Sequence, residues 1–194
     1  GCIVPHRTAG FGGGAKIVLP GVASIETIRG NHSRTYGASA THSGDGFFGF
    51  AGREALGEIS NQPTQWHKRR GNNDNLLINN DFSYAPAHGI EMTFSFGNIF
   101  YGNRLVENAI CGVWGGYSQD TLIAANHFEG NGEMAYGLER GGVNIEHGAA
   151  NRIVENVFKN NKCGVHLWGG PVGDFADRPW ARANGTDSKD NLIA

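Results

Sequence analysis

The sequence predicts an all-β solenoid, in which the chain winds into stacked coils of short strands. A short pattern recurs four times between Asn80 and Asn160, and its leading asparagines are 23, 23 and 30 residues apart. A period in the low twenties, built from short apolar pieces, is typical of a solenoid. Glycine accounts for 31 of the 194 residues and charged residues for only 18%. This composition suits an all-β protein with many tight turns.

Each repeat has the same order of parts. An apolar lead-in comes first, then an asparagine, then an apolar residue two positions later, and finally a glycine with a short alternating strand. The lead-ins are LLI at 76–78, IFY at 99–101, LIA at 122–124 and IVE at 153–155. Strand pieces of this length between Asn and Gly corners follow β-propensity and turn chemistry. The pattern predicts about 22–23 residues per coil.

The leading asparagines of the repeats are predicted to be scaffold residues. They are Asn80, Asn103, Asn126 and Asn156. Stacked side-chain amides donate to one neighbouring coil, accept from the other, and satisfy backbone groups at the corners. A ladder of hydrogen-bonded amides is therefore expected along one corner of the solenoid.

We predict a single domain over residues 1–194, with irregular parts outside the regular repeats. Residues 1–15 are glycine-rich without a period and are expected to be irregular. Residues 16–51 are interpreted as one coil stretched in its middle, and residues 52–73 and 169–188 as inserted loops. The closing DNLIA matches an earlier lead-in, and we expect a part of a longer helix because a solenoid normally closes with a polar cap.

The N-x-φ…G-φ-x-φ coil, where φ is apolar, resembles the right-handed parallel β-helix repeat family, within the pectate-lyase-like superfamily. The resemblance covers about residues 16–194 and implies a right-handed parallel β-helix. Members include polysaccharide lyases, glycoside hydrolases, uronan epimerases and noncatalytic surface or phage proteins. The resemblance therefore implies a polysaccharide substrate and an extracellular or periplasmic location, without choosing among these activities.

Stacked coils also predict which residues share a surface. Period-two alternation after each repeat glycine turns an apolar column inward and two columns outward. The first outward column is Phe48, Glu91, Trp114, Asn144 and His166, and the second is Phe50, Thr93, Gly116, Glu146 and Trp168. Indole rings stack on sugars, while carboxylates and imidazoles bind hydroxyls and move protons. This face is predicted to be a binding or active site, the alternative being incidental surface residues.

Two carboxyl groups are typically needed to cleave a glycosidic bond, which makes Glu91 and Glu146 the predicted catalytic acid and base. Their Cα atoms are expected to be about 12 Å apart, from two coil spacings and two residues. His166 is predicted to assist them. The predicted substrate contacts are Trp114, Asn144, Trp168, His147 and Arg140. The alternative for Glu91 and Glu146 is that they are simple surface carboxylates, and for Trp114 and Trp168 that they pack under the inserted loops. For Glu139 and Arg140, the alternative is that they pair with each other.

No metal or other cofactor is predicted, with calcium left as an alternative that no sequence feature supports. Calcium-dependent lyases of the superfamily use clustered carboxylates and a basic residue, whereas the two columns contain no Asp, Lys or Arg. Hydrolysis is therefore preferred to β-elimination. A net charge of −2 gives no electrostatic argument for a nucleic-acid or membrane partner. The expected partners are a polysaccharide and the remainder of the helix or another chain. The alternative function is noncatalytic polysaccharide binding, as in an adhesin.

Overall fold

The computed structural model of the protein describes residues 2–3, 10–11, 16–17, 23–28, 30–51, 55 and 61–194. Over these residues the chain winds into a right-handed parallel β-helix, so the predicted fold class is confirmed. Each full coil contributes strands to three sheets that run along the solenoid, and neighbouring coils pair in parallel. No helix in the described part of the chain is long and apolar enough to cross a membrane.

The first sheet carries the predicted site face. Its strands, in order, are β1 (Cys2–Ile3), β4 (Ile25–Ile28), β7 (Phe47–Phe50), β9 (His88–Met92), β12 (Cys111–Trp114), β15 (Gly141–Glu146) and β18 (Val165–Trp168). The second sheet contains β2 (Gly10–Phe11), β5 (Arg34–Tyr36), β8 (Leu76–Ile78), β10 (Ile99–Tyr101), β13 (Leu122–Ala124), β16 (Arg152–Val154) and β19 (Leu192–Ile193).

The third sheet is shorter. It contains β3 (Lys16–Ile17), β6 (Ser39–Ala40), β11 (Arg104–Val106), β14 (His127–Glu129) and β17 (Val157–Lys159). Asp81 forms single bridges to Ser39 and Arg104 and so connects the two parts of this sheet. The apolar columns of all three sheets meet inside the coils, where Leu77, Ile90 and Phe128 are fully buried.

The N-terminal part of the chain differs from the sequence prediction in two respects. The strands β1 and β2 lie within residues 1–15 and pair with β4 and β5. The expectation of an irregular segment is thus wrong for these four residues, because two-residue strands among glycines show no readable period. Strands β4 and β7 pair directly, so residues 16–51 belong to successive coils rather than to one stretched coil.

The predicted asparagine ladder is present. The Nδ2 of Asn80 donates to the Oδ1 of Asn103 at 2.9 Å, Asn103 donates to Asn126 at 2.9 Å, and Asn126 donates to Asn156 at 3.0 Å. The backbone N–H of each donor residue bonds the same Oδ1. A second ladder joins Asn108, Asn131 and Asn161 at 2.9 and 2.8 Å. The ladders satisfy corner backbone groups and hold adjacent coils in register.

The two insertions pack on each other at the corner that follows the first sheet. The first includes a 3₁₀ helix, Thr64–His67, and the second a 3₁₀ helix, Gly173–Asp177, and an α-helix, Pro179–Asn184. Trp180 is fully buried between them, and its Nε1 donates to the carbonyl of Arg70 at 2.7 Å. Its ring lies edge-on to Phe94, with centroids 5.2 Å apart. The insertions thus form a small apolar core of their own.

Replacing Asn103 tests the ladder. Asn103 is 1% exposed, and its amide bonds the backbone N–H of Asn80 and the carbonyl of Leu77. The Asn103→Ala change leaves both backbone groups buried without partners, and we expect a loss of about 3 kcal/mol in the free energy of unfolding. Urea denaturation measures this loss. Asn31→Ala is the control, because Asn31 is exposed and water replaces its one bond to Asn73. Equal losses in the two variants would contradict the ladder's role.

Candidate functional site

The strand register confirms the first outward column of the first sheet and the Glu146–Trp168 pair of the second. Glu91 pairs with Phe48 on one side and with Trp114 on the other. Trp114 pairs with Asn144, and Asn144 with His166, while Glu146 pairs with Trp168 in the second column. Residues separated by 22 to 43 positions in sequence are therefore neighbours on one surface.

A cluster on this face brings together Asp45, His88 and Glu91. One ligand-type atom from each lies within 4.8 Å of the other two. Asp45 comes just before Gly46, and His88 just before Gly89, so both occupy the position before the repeat glycine in adjacent coils. The Oδ1 of Asp45 accepts the backbone N–H of His88 at 2.9 Å. The coil spacing therefore fixes these two residues beside Glu91, whose side chain lies in the first outward column.

The sequence interpretation included neither Asp45 nor His88 among the predicted site residues. It compared only the strand positions that follow each glycine, where no aspartate occurs. The signal that finds Asp45 is the column before the glycine, which runs through Asp45, His88, Cys111, Gly141 and Cys163. This column carries a carboxylate and an imidazole in neighbouring coils, and both groups can transfer protons.

Trp114 covers one side of the cluster. Its ring stacks on that of His88, with centroids 5.7 Å apart and planes at 19°. The Nδ1 of His88 and the Nε1 of Trp114 are buried without a hydrogen-bond partner among the described residues. A buried polar atom without a partner costs about 1–3 kcal/mol. A ligand that bonds these atoms therefore recovers energy that the free protein forgoes.

Burial sets the protonation of the cluster. Burial raises the pKa of Glu91 to about 8, and the charges of Asp45 and Glu139 add to this rise. Burial also raises the pKa of Asp45, against the opposing effect of the hydrogen bond from the His88 backbone. Burial lowers the pKa of His88 to about 4. At neutral pH, Glu91 therefore carries a proton and the His88 imidazole is neutral.

A loop of residues 132–140, termed the overhanging loop, adds a further carboxyl to the face. It connects β14 to β15, and burial raises the pKa of its Glu139. The charge of Glu139 contributes to the raised pKa of both Glu91 and Glu146. Glu139 thus lies close enough to influence the pKa of both carboxyls. The sequence alone left open whether Glu139 reaches this face. The loop also exposes Met134 and Tyr136 to solvent.

Asn144 and His166 hold the overhanging loop on the sheet. The Nδ2 of Asn144 donates to the carbonyl of Leu138 at 2.6 Å, and Trp168 donates its Nε1 to the Oδ1 of Asn144 at 2.9 Å. The Nδ1 of His166 lies 2.9 Å from the same Leu138 carbonyl. Because a carbonyl only accepts hydrogen bonds, Nδ1 is the donor, and this bond fixes the tautomer of the His166 ring. Asn144 is fully buried, so a substrate reaches it only if the loop moves. Arg140 contributes its carbonyl, 3.4 Å from the Nδ2 of Asn144.

His147 has a comparable anchoring position beneath the second insertion. It is 4% exposed, its Nδ1 donates to the carbonyl of Thr186 at 2.6 Å, and its Nε2 accepts the N–H of Gly170 at 3.3 Å. Its ring stacks on Tyr117, with centroids 5.0 Å apart. Both ring nitrogens are therefore engaged in holding residues 169–188.

The structure keeps Glu146 and Glu91 at the separation that the sequence predicted. Glu146 lies two coils and two residues away, as the register requires. Its Oε1 is 3.7 Å from the Nε2 of His147, and burial raises its pKa. The carboxyl brought next to Glu91 is that of Asp45. Glu146, His166 and the half-buried Trp168 form a separate group further along the face.

Calcium is the ion that lyases of the superfamily use, and whether it fits the cluster depends on the ligand atoms present. Asp45, His88 and Glu91 are close enough to hold an ion. Calcium, however, takes six to eight oxygen ligands, and here one of the three donors is an imidazole nitrogen. Calcium therefore does not fit this donor set.

Comparison with known proteins agrees with the fold. A family model described as a right-handed β-helix region matches residues 21–172, which include every residue of the cluster and the overhanging loop. No curated protein matches the chain.

The buried proton of Glu91 gives a prediction about stability. Its folded-state pKa of about 8 lies above the ordinary 4.5, so stability falls as pH rises from about 4.5 to about 8. The Glu91→Gln variant escapes this loss, and we expect it to exceed wild type by on the order of 3 kcal/mol near pH 9, with little difference near pH 4. Chemical denaturation at the two pH values measures the effect.

The matched control is Glu129→Gln. Glu129 is a glutamate whose pKa is lowered by its hydrogen bonds to Lys159 and His127. A carboxyl whose pKa is lowered by folding stabilises the folded state at pH values above its ordinary pKa. The Glu129→Gln variant therefore gains no stability at alkaline pH. A difference between wild type and Glu91→Gln that does not change with pH would show that Glu91 is not held protonated.

Proposed function

Because the chain belongs to the right-handed β-helix family, we propose that it is a carbohydrate-active enzyme that hydrolyses glycosidic bonds of a polysaccharide on its first sheet. Right-handed β-helix regions occur in pectate-lyase-like enzymes and in non-catalytic proteins, so the family alone leaves both open. The observation that carries the proposal is the pair of half-buried carboxyls, Asp45 and Glu91, beside an indole ring. A polysaccharide substrate supports the further proposal that the protein acts outside the cell or in the periplasm.

Glu91 acts as the general acid. Its raised pKa keeps the carboxyl protonated at neutral pH, which is the state that an acid needs to protonate a leaving-group oxygen. Asp45 supplies the second carboxyl, and the N–H of His88 stabilises its charged form through a hydrogen bond. In this proposal Glu91 takes the role of the protonated carboxyl and Asp45 that of the ionised carboxyl that glycoside hydrolysis requires.

The spacing of the two carboxyls favours a retaining reaction. One oxygen of each carboxyl lies within 4.8 Å of the other, closer to the roughly 5–5.5 Å of retaining enzymes than to the roughly 6.5–9.5 Å of inverting ones. Asp45 attacks the anomeric carbon while the Glu91 proton passes to the departing oxygen, which leaves a glycosyl ester on Asp45. Glu91, now ionised, takes a proton from water, and the resulting attack releases the sugar and restores both residues.

Neighbouring side chains position the substrate. Trp114 offers an indole face beside the two carboxyls, and the imidazole of His88 offers an unpartnered nitrogen to a sugar hydroxyl. Trp168 and His166 both lie on β18, two coils beyond Trp114, with ring centroids 6.2 Å apart. They extend the same face, as expected for a polymer that spans several sugar positions.

The alternative function is noncatalytic polysaccharide binding, as in an adhesin-like segment. Tyr136 favours it, because this aromatic residue is 66% exposed on the overhanging loop beside the outward columns. Exposed aromatic rings next to polar groups are well suited to sugar binding without chemistry.

Replacing the two carboxyls tests the assignment. We expect Glu91→Gln and Asp45→Asn each to lower kcat on a cleaved glycan by about 10²–10⁴-fold, because each removes a proton-transfer or nucleophilic group. New reducing ends, measured over a polysaccharide panel, report the activity. Glu146→Gln is the control and is expected to stay within about tenfold of wild type. A loss in Glu146→Gln as large as that in Asp45→Asn would return the second catalytic role to Glu146, and binding without products would support the noncatalytic alternative.

The pH dependence of the reaction follows from the same group. Only the protonated form of Glu91 can donate, so kcat/KM is expected to fall as pH rises through about 8. The residual activity of Glu91→Gln should lack this alkaline decline, because glutamine does not titrate. Initial rates between about pH 5 and 10 provide the measurement, and an unchanged rate above pH 9 would exclude Glu91 as the acid.

A further inference from the structure

We propose that this site selects glycans without acidic groups, and that it binds sugars with free amino groups most strongly, rather than uronic acid polymers. The inference rests on the proposed function, because it concerns the substrate of the same face. It concerns charge and not the cleavage step, so binding alone can test it.

The face concentrates carboxyl groups. Four half-buried carboxyls belong to it: Asp45, Glu91, Glu139 and Glu146. Burial is the largest cause of the raised pKa of each one. Among the charges that act on them in the described part of the chain, no Lys or Arg occurs, and His147 is the only basic group. Removal of a proton from this face is therefore met by repulsion rather than by attraction.

A second observation indicates a polar ligand rather than a bare acidic patch. His88 is 6% exposed, and its Nδ1 has no hydrogen-bond partner among the described residues, although Asp45 and Glu91 lie beside it. With its proton on Nε2, the neutral imidazole accepts at Nδ1 a hydrogen bond from a hydroxyl or an ammonium group. A carboxylate has no proton to offer to it.

The chemistry of the two polymer classes separates them at such a site. A uronate brings one negative charge per sugar. β-elimination needs a cation to neutralise that charge, and calcium does not fit the donor set of Asp45, His88 and Glu91. Like charges are most unfavourable where water is excluded. A protonated amino sugar gains attraction from the same carboxyls, and a neutral sugar loses nothing.

The experiment compares matched glycan pairs that differ only in charge, by calorimetric titration of the wild-type protein. The pairs are polygalacturonate with its fully methyl-esterified form, and glucosamine oligosaccharides with their N-acetylated counterparts. We expect at least about tenfold weaker binding of polygalacturonate than of its ester, and at least about tenfold tighter binding of the free amino sugars than of the acetylated ones. Both preferences should shrink as salt is raised.

Variants separate the face from general surface charge. Glu139→Gln should reduce the preference for free amino sugars at least about threefold, because it removes one carboxyl from the face without touching the catalytic pair. Glu129→Gln removes a glutamate on β14 of the third sheet and should leave the preference unchanged. Equal effects of the two variants would overturn the proposed location.

The outcomes also distinguish this inference from the proposed function. Tighter binding of polygalacturonate than of its ester, with added calcium or with chelator, overturns the charge selection. Hydrolysis of an anionic polymer overturns it as well but keeps the enzyme. Charge-selective binding without products keeps the selection and removes the enzyme. Failure of all pairs to bind overturns both proposals.

Discussion

The register between coils is the constraint on which the rest of this structure depends. Parallel backbone bonds and stacked asparagine amides hold each coil directly above the last. A one-residue slip would turn every outward side chain inward. With the register fixed, Asp45 and His88, which are 43 residues apart in sequence, come to share a hydrogen bond. Proximity at the site is thus a property of the scaffold.

The same scaffold accounts for the electrostatics of the face. A sheet built from stacked coils is stiff, so it can hold carboxyls in partly buried positions that a flexible surface would release to water. The hydrogen bonds of Asn144 and His166 to Leu138 place the overhanging loop, with Glu139, above this sheet. Repulsion among the carboxyls opposes folding, and the ladders and apolar core supply the stability that offsets it.

Repetition explains what the sequence could predict. The coil period, the ladder from Asn80 to Asn156 and both outward columns follow from spacing alone, because each repeat places equivalent residues in equivalent positions. The short strands before Lys16 and the pairing of β4 with β7 could not be predicted, because glycine-rich and lengthened segments hide the period. Asp45 was missed because it precedes the repeat glycine and so lies outside the strand positions that define the two columns.

Side-chain contacts were the other limit of sequence reasoning. Asn144 and His147 occupy outward or corner positions, yet each is buried by a nonrepeating segment whose path no periodicity specifies. Glu139 lies in such a segment as well. A repeat therefore predicts where a site face lies, while the loops around it decide which of its residues remain available to a substrate.

Coil stacking places Asp45 against Glu91 and keeps Glu91 protonated. A ¹³C NMR titration of the glutamate carboxyls tests this protonation most directly, with the Glu91 signal assigned by its disappearance in Glu91→Gln. We expect a pKa of about 8 for Glu91, and a lower pKa in Asp45→Asn, where the neighbouring charge is removed. A pKa near 4.5 that does not respond to the Asp45 substitution would contradict it.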